Sequence, residues 1–339
     1  MRNTTFDALK GLLIVLVVLG HVLLGTLEEN TARQVIYFFH MPLFLAVTGC
    51  FVRPKVLRQN SQVIMQKYFW RLILPYLVAF SIFTTLFWLF GSQSEPIDSH
   101  QVLQSILYPY FHLWYVPAVI LFVFYTKTLL SLNSRLINGL VAISALGLAV
   151  LFEMYKTQIL DPENLSLWGD KRYYCYYYYF LLGYFMQSQT VNNKSAASLV
   201  LAIPFLMLLY YSSEVTVVAC LCQVVVNSVT IALTITLCDR LNSEESNILS
   251  RLGQLSLPIY LWHMLPLLVV RKLFANNLPA YYFLSISTCC VFVTLVAYFE
   301  NRNRLLNSLV YGTQASIVLP ADQDSSDIRA EESQTRSAA

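Results

Sequence analysis

Apolar residues run along this chain in long unbroken blocks rather than at alternating positions. Ten blocks stand out, at 8–27, 33–52, 70–91, 111–131, 136–153, 174–188, 197–212, 215–238, 254–270 and 279–299. Each is near the ~20 residues with which a helix crosses a bilayer, 174–188 and 197–212 being the shortest. The strict alternation of transmembrane β-strands does not occur. The pattern predicts an all-α polytopic membrane protein with about ten transmembrane helices. An even number puts both termini on the same side.

Basic residues choose that side. With the N-terminus in the cytoplasm, only Arg33, Lys156, Lys171, Arg172, Arg271 and Lys272 fall outside, and the other sixteen of the 22 Lys and Arg fall inside. The positive-inside rule then gives an N-in/C-in protein, expected as a multi-pass protein of the cell (inner) membrane. The apolar stretch Gly11–Leu27 exceeds a signal-peptide core of ~7–15 residues and no A-x-A-like site follows, so it reads as a retained helix. The tyrosine-rich run 173–179 reads as an aromatic belt at the outer end of the sixth span. After Thr313 the chain turns polar, and 305–339 is expected to be a disordered cytoplasmic tail behind a transmembrane domain of residues 1–304.

Composition narrows the class further. Hydrophobic residues make up 57% of the 339 and charged residues 12%, against ~25% charged in soluble domains. That excludes an ordinary cytosolic enzyme and a disordered chain, so chemistry is expected in or at the membrane. The seven cysteines include no CxxC pair, and neither zinc spacing, a P-loop nor GxGxxG occurs, so no metal, no bound cofactor and no nucleic-acid partner is expected.

Ionisable groups inside these blocks are costly, and so informative. His21 lies 11 residues after Lys10, a rotation of about 1100°, which sets both on one helix face about 16 Å apart along the axis. Asp7 falls within about 40° of the same line. His21 is either a buried ring bonded to a neighbouring helix or a proton acceptor in a cavity, since neutral imidazole can take a proton from an attacking hydroxyl. His40 opens His40-Met41-Pro42, where proline removes a helical hydrogen bond and can open a cavity. His112 lies near the outer end of the fourth span and His263 in the middle of the ninth; each is structural or functional. Arg53, Lys55, Arg58, Lys67 and Arg71 form a basic stretch that marks either inside topology or a docking surface for a phosphorylated ligand such as a coenzyme A ester.

Five segments carry a family resemblance. Phe6-Asp7-Ala8-Leu9-Lys10-Gly11 leads to Val17-Val18-Leu19-Gly20-His21, followed by Phe39-His40-Met41-Pro42-Leu43-Phe44 with Thr48-Gly49. Then come His112-Leu113-Trp114-Tyr115-Val116-Pro117, Phe180-Leu181-Leu182-Gly183-Tyr184 and Leu261-Trp262-His263-Met264. In this order, over residues 5–304, they resemble the acyltransferase 3 family of integral membrane acyltransferases, in particular fucose-4-O-acetylase-like and surface-polysaccharide O-acetyltransferase members. Three features depart from the family pattern. Lys10 stands where many members have Arg, Thr48 replaces a more usual Ser, and Tyr68 stands where many members have the first of two arginines.

The resemblance implies transfer of an acyl group, acetyl foremost, from cytoplasmic acyl-CoA as co-substrate to a hydroxyl of an envelope glycan or lipid-linked saccharide. It implies His21 as the general base and Lys10, Arg71 and Lys67 as donor-binding residues. His40, His112, Trp114 and His263 are implied at the substrate site. Two alternatives compete: a proton-coupled transporter or flippase using the histidines as a relay, and a regulatory membrane protein without activity.

Overall fold

The computed structural model describes residues 4–90, 99–110, 112–132, 134–156, 169–187, 191–213, 215–241, 245 and 247–313. In chain order the helices are α1 (Thr4–Val22), α2 (Thr31–Cys50), α3 (Pro54–Leu57), α4 (Ser61–Tyr68), a π turn (Phe69–Ile73), α5 (Leu74–Phe90), α6 (Ser99–Leu107), α7 (Tyr115–Ser131) and α8 (Arg135–Lys156). There follow α9 (Arg172–Cys175), α10 (Tyr177–Met186), α11 (Asn193–Ser212), α12 (Thr216–Leu241), α13 (Ile248–Gln254), α14 (Ser256–Trp262), α15 (Met264–Phe274), α16 (Leu278–Phe299), α17 (Arg304–Leu306) and a second π turn (Asn307–Tyr311). Asparagine starts six of them: the side chains of Asn30, Asn60, Asn192, Asn247, Asn277 and Asn303 accept from first-turn amides of α2, α4, α11, α13, α16 and α17.

Among the described residues, seven helical stretches are long and apolar enough to cross a membrane: Thr4–Val22, Ser61–Phe90, Arg135–Lys156, Asn193–Ser212, Thr216–Leu241, Ser256–Phe274 and Leu278–Phe299. The three other predicted blocks coincide with α2, with α7 (17 residues) and with the short pair α9–α10. The protein is all-α and polytopic. Helix α11 buries none of its residues, and Leu201 on it is 75% exposed, as expected of a helix facing hydrocarbon. The interior is built instead from Leu13, Ile14 and Val17 of α1, Leu45 to Val47 of α2, Phe122 and Val123 of α7, Phe180 of α10 and Ile231 and Ile235 of α12.

Two helix crossings are backbone-to-backbone. Gly11 of α1 faces the carbonyl of Leu249 while Gly253 of α13 faces that of Asp7; Gly49 of α2 faces the carbonyl of Phe180 while Gly183 of α10 faces that of Ala46. Such reciprocal small-residue contacts let helices approach closely where no water drives them together.

Residues 305–313 pack onto the bundle. Tyr311 is buried and its hydroxyl donates to Val296 O at 2.5 Å. Gly312, at φ +63°, lies against Arg71 O, the carbonyl to which Pro75 offers no N–H. Apolar Leu306, Val310 and Tyr311 within the polar stretch make this packing favourable. The rest of the expected tail, 314–339, lies outside the described residues.

Charges separate along the bundle. At one end Lys10 pairs with Asp7 at 2.6 Å, Lys127 donates to Leu57 O and Gln59 O, and Arg251 pairs with Glu300. At the other end Arg33 lies over Tyr37, Lys171 over Tyr155 at 3.7 Å and Arg172 over Trp114 at 4.6 Å.

Candidate active site

Helix α1 carries His21 one residue before its C-terminus, and the Tyr281 hydroxyl fixes that end by donating to Val22 O at 2.9 Å. His112 arrives on the turn before α7, whose Pro117 sits in the first turn, where its missing N–H costs nothing. His263 is the residue between α14 and α15. The three rings meet: centroids are 5.2 Å apart for His21 and His263, 6.2 Å for His21 and His112, and 4.8 Å for His112 and His263. His40 joins through Tyr37, which is 6.5 Å from His21 and 4.9 Å from His40.

Hydrogen bonds fix the tautomers. A carbonyl only accepts, so a ring nitrogen bonded to one must carry hydrogen. His112 Nε2 donates to Leu261 O at 3.1 Å, His263 Nδ1 to Tyr260 O at 2.9 Å, and His40 Nδ1 to Ile36 O at 2.6 Å. His112 Nδ1 and His263 Nε2 are then lone-pair acceptors, and both are buried without a hydrogen-bond partner among the described residues. His21 makes no hydrogen bond to any described residue, so it lacks the neighbour-bonded arrangement that was one of its two readings. It keeps partial exposure, whereas His40, His112 and His263 are buried. The Tyr260 hydroxyl donates to His112 O, and Thr48 meets the Tyr115 hydroxyl at 2.5 Å. Phe83 closes on His112 at 5.6 Å.

The remaining predicted residues lie elsewhere. Lys10 sits about 16 Å down α1 from His21, paired with Asp7 and over the Phe51 ring at 4.6 Å. Arg71 is exposed in the π turn, about 18 Å along the helix from Phe83, so two independent helices give a similar distance from basic end to histidines. Lys67 is exposed one turn earlier, and neither forms a salt bridge among the described residues. Trp114 stacks on Tyr176 at 5.4 Å, with Arg172 over its ring at 4.6 Å.

Pro42 does not break α2. Its missing N–H would orphan Phe38 O, four residues back, and Asn227 Nδ2 supplies that bond at 3.0 Å from α12. Sequence reasoning passed over Asn227, Tyr37, Tyr260 and the pair of buried Glu153 with exposed Lys156, 2.5 Å apart. Glu153 was detectable by the rule that singled out His21, being an acidic residue at the end of an apolar block. Among the described residues, no group of three His, Cys, Asp or Glu is arranged to hold a metal.

Fold and site define a multi-pass helical membrane protein whose titratable groups converge inside the bundle. Residues 3–299 match the family model described as an acyltransferase domain. The chain belongs to the acyltransferase 3 family. Over 66 residues it is 44% identical to the nodulation protein NolL of Sinorhizobium fredii, covering 17% of this chain and 18% of that protein. Over 94 residues it is 34% identical to the nodulation protein NolL of Mesorhizobium japonicum, covering 26% and 24%. The matched stretch is thus a quarter or less of either relative. No solved structure matches the chain.

Proposed function

We propose that the chain transfers an acyl group, acetyl foremost, from acyl-CoA to a hydroxyl of an envelope carbohydrate or lipid-linked saccharide, in the inner membrane. The observation that carries the reading is His21: it is the one ring of the cluster with both nitrogens uncommitted, and it shares a helix face with Lys10. In the reaction the acceptor O–H gives its proton to a His21 nitrogen as its oxygen attacks the thioester carbonyl. The C–S bond then breaks, the sulfur leaves as thiolate, and the imidazolium returns the proton to it.

Lys10, Arg71 and Lys67 bind the donor's phosphates at the opposite end, which the charge count makes cytoplasmic. The pantetheine arm matches about five residues of extended chain, about 17 Å, similar to the separation between that end and His21. His40 and Trp114 shape the acceptor side.

The test is His21→Ala in purified membranes supplied with labelled acetyl-CoA. Loss of a general base lowers transfer roughly 10²–10⁴-fold at unchanged insertion. Wild-type glycan O-acetylation by this variant refutes the assignment. Proteoliposome uptake of saccharide without acyl-CoA consumption would instead favour the transporter.

A further inference from the structure

The loop between α1 and α2 leads into a cation beside the histidines. Arg33, in the first turn of α2, lies over the Tyr37 ring at 5.2 Å, and that ring is 6.5 Å from His21 and 4.9 Å from His40. Arg33 is near enough to His21 for their charges to interact. It is half-buried and forms no salt bridge among the described residues. Lys156, another cation near the cluster, is paired with Glu153.

The guanidinium is held in place with one edge left over. Its Nη1 donates to Gly25 O, and the Arg33 backbone N–H donates to Asn30 Oδ1 at 3.0 Å. Asn30 Nδ2 donates in turn to Leu24 O at 3.0 Å, so the loop is tied to the start of α2 as well as, through Val22 O, to Tyr281. Arg33 Nε is buried and has no hydrogen-bond partner among the described residues. A buried donor of a charged group is costly to leave unpaired, and the planar fork of an arginine is shaped to grip an oxyanion.

The histidines do not supply what this edge offers. His112 Nδ1 and His263 Nε2 present lone pairs, and the Tyr260 hydroxyl is committed to His112 O. Attack on a thioester turns its carbonyl oxygen into an oxyanion, which lone pairs repel and which is unfavourable at membrane depth without a positive partner. Arg33 brings a positive charge and N–H donors, both fixed before the reaction begins. A general base and an oxyanion donor reach two oxygens of one tetrahedral carbon, each through a hydrogen bond of about 2.8 Å. Groups packed against the same ring, as His21 and Arg33 are against Tyr37, lie on that scale.

We propose that the Nε edge of Arg33 binds the oxyanion of the tetrahedral intermediate while His21 holds the proton taken from the acceptor. This rests on the acyl-transfer reading above and deepens it, adding a second catalytic residue on the side of His21 remote from Lys10. As the intermediate collapses, the C=O bond re-forms, the C–S bond breaks and the thiolate takes the proton from His21. Arg33 keeps its own protons throughout.

The experiment titrates the purified full-length chain by thermal shift with two thioether analogues of acetyl-CoA. Trifluoroacetonyl-coenzyme A carries a ketone that hydrates to a tetrahedral carbon with an acidic hydroxyl, whereas the ketone of acetonyl-coenzyme A stays planar. Wild type should bind the tetrahedral probe roughly 10²-fold more tightly than the planar one. Arg33→Met should cut that preference about tenfold or more while leaving the planar probe's Kd unchanged, and Arg33→Lys should retain part of it. In membranes supplied with labelled acetyl-CoA, Arg33→Met should lower transfer roughly 10²-fold at unchanged KM for acetyl-CoA. If Arg33→Met fails to fold, Arg33→Gln, whose amide keeps a donor for Gly25 O, carries the same expectation. A preference untouched by loss of the guanidinium, or equal weakening of both probes, overturns the role. Wild type that binds neither probe overturns instead the donor reading on which the role rests.

Discussion

Gly253→Ala should be among the most damaging single-methyl additions available in this protein. The new Cβ would lie 1.7 Å from Asp7 O and 2.9 Å from Gly11 N, where ordinary contact begins at 3.4 Å. Both neighbours are backbone, so no side chain can swing aside. Helices α1 and α13 must part by about 1.7 Å, the difference between 3.4 and 1.7. A gap of that size forfeits most dispersion across the seam. About 40 atom pairs at about 0.1 kcal/mol give about 4 kcal/mol, and alanine's better helix propensity returns about 1. The net loss of about 3 kcal/mol corresponds to roughly 4 °C in a chain of this length. Heating followed by fluorescence-detected size exclusion reads it, with Gly147→Ala as control, since nothing lies within 4 Å of a Cβ there. Gly253→Ala melting together with wild type and Gly147→Ala would refute the claim that the α1–α13 crossing is backbone-limited.

Three further outcomes are expected. Lys10→Met should lower the melting temperature by removing one ion-pair partner of the buried Asp7 carboxylate, and adding Asp7→Asn should restore it without restoring donor KM. Asn227→Ala should cost about 1–3 kcal/mol by uncovering Phe38 O; in a Pro42→Ala background most of that cost should vanish, because the restored backbone N–H at position 42 takes the carbonyl, and a denaturation double-mutant cycle measures the coupling. Tyr260→Phe should lower transfer severalfold with little change in donor KM, since it releases His112 O and lets the ring beside His21 drift; equal kcat values for variant and wild type would dismiss this role.

Much of the architecture was legible because a bilayer imposes one length and one polarity on each helix. The ten apolar blocks fall on helices, and Lys10 and His21 lie on the same one. Histidines far apart in sequence proved to be neighbours for a reason no periodicity carries: α1 packs on α14, and the turn before α7 reaches α14 through the His112 bond to Leu261 O, which only coordinates reveal. The tautomers were equally hidden, since they depend on carbonyls of Leu261, Tyr260 and Ile36 being offered at the right place. Pro42 was misleading in one respect. Its chemistry is local and readable, but its remedy, Asn227, lies 185 residues later on α12. Short apolar patches such as Leu306, Val310 and Tyr311 are likewise informative only when a surface is there to receive them.

The π turn at Phe69–Ile73 holds one residue more than an α-helical turn would. Everything downstream is therefore indexed to that surplus. Excising a single residue there would restore a regular spiral and rotate the following helix by about 100°, turning Phe83 from His112 toward the hydrocarbon. The extra residue thus works as a phase setting, by which the end bearing Arg71 and the wall of the imidazole chamber are kept in step.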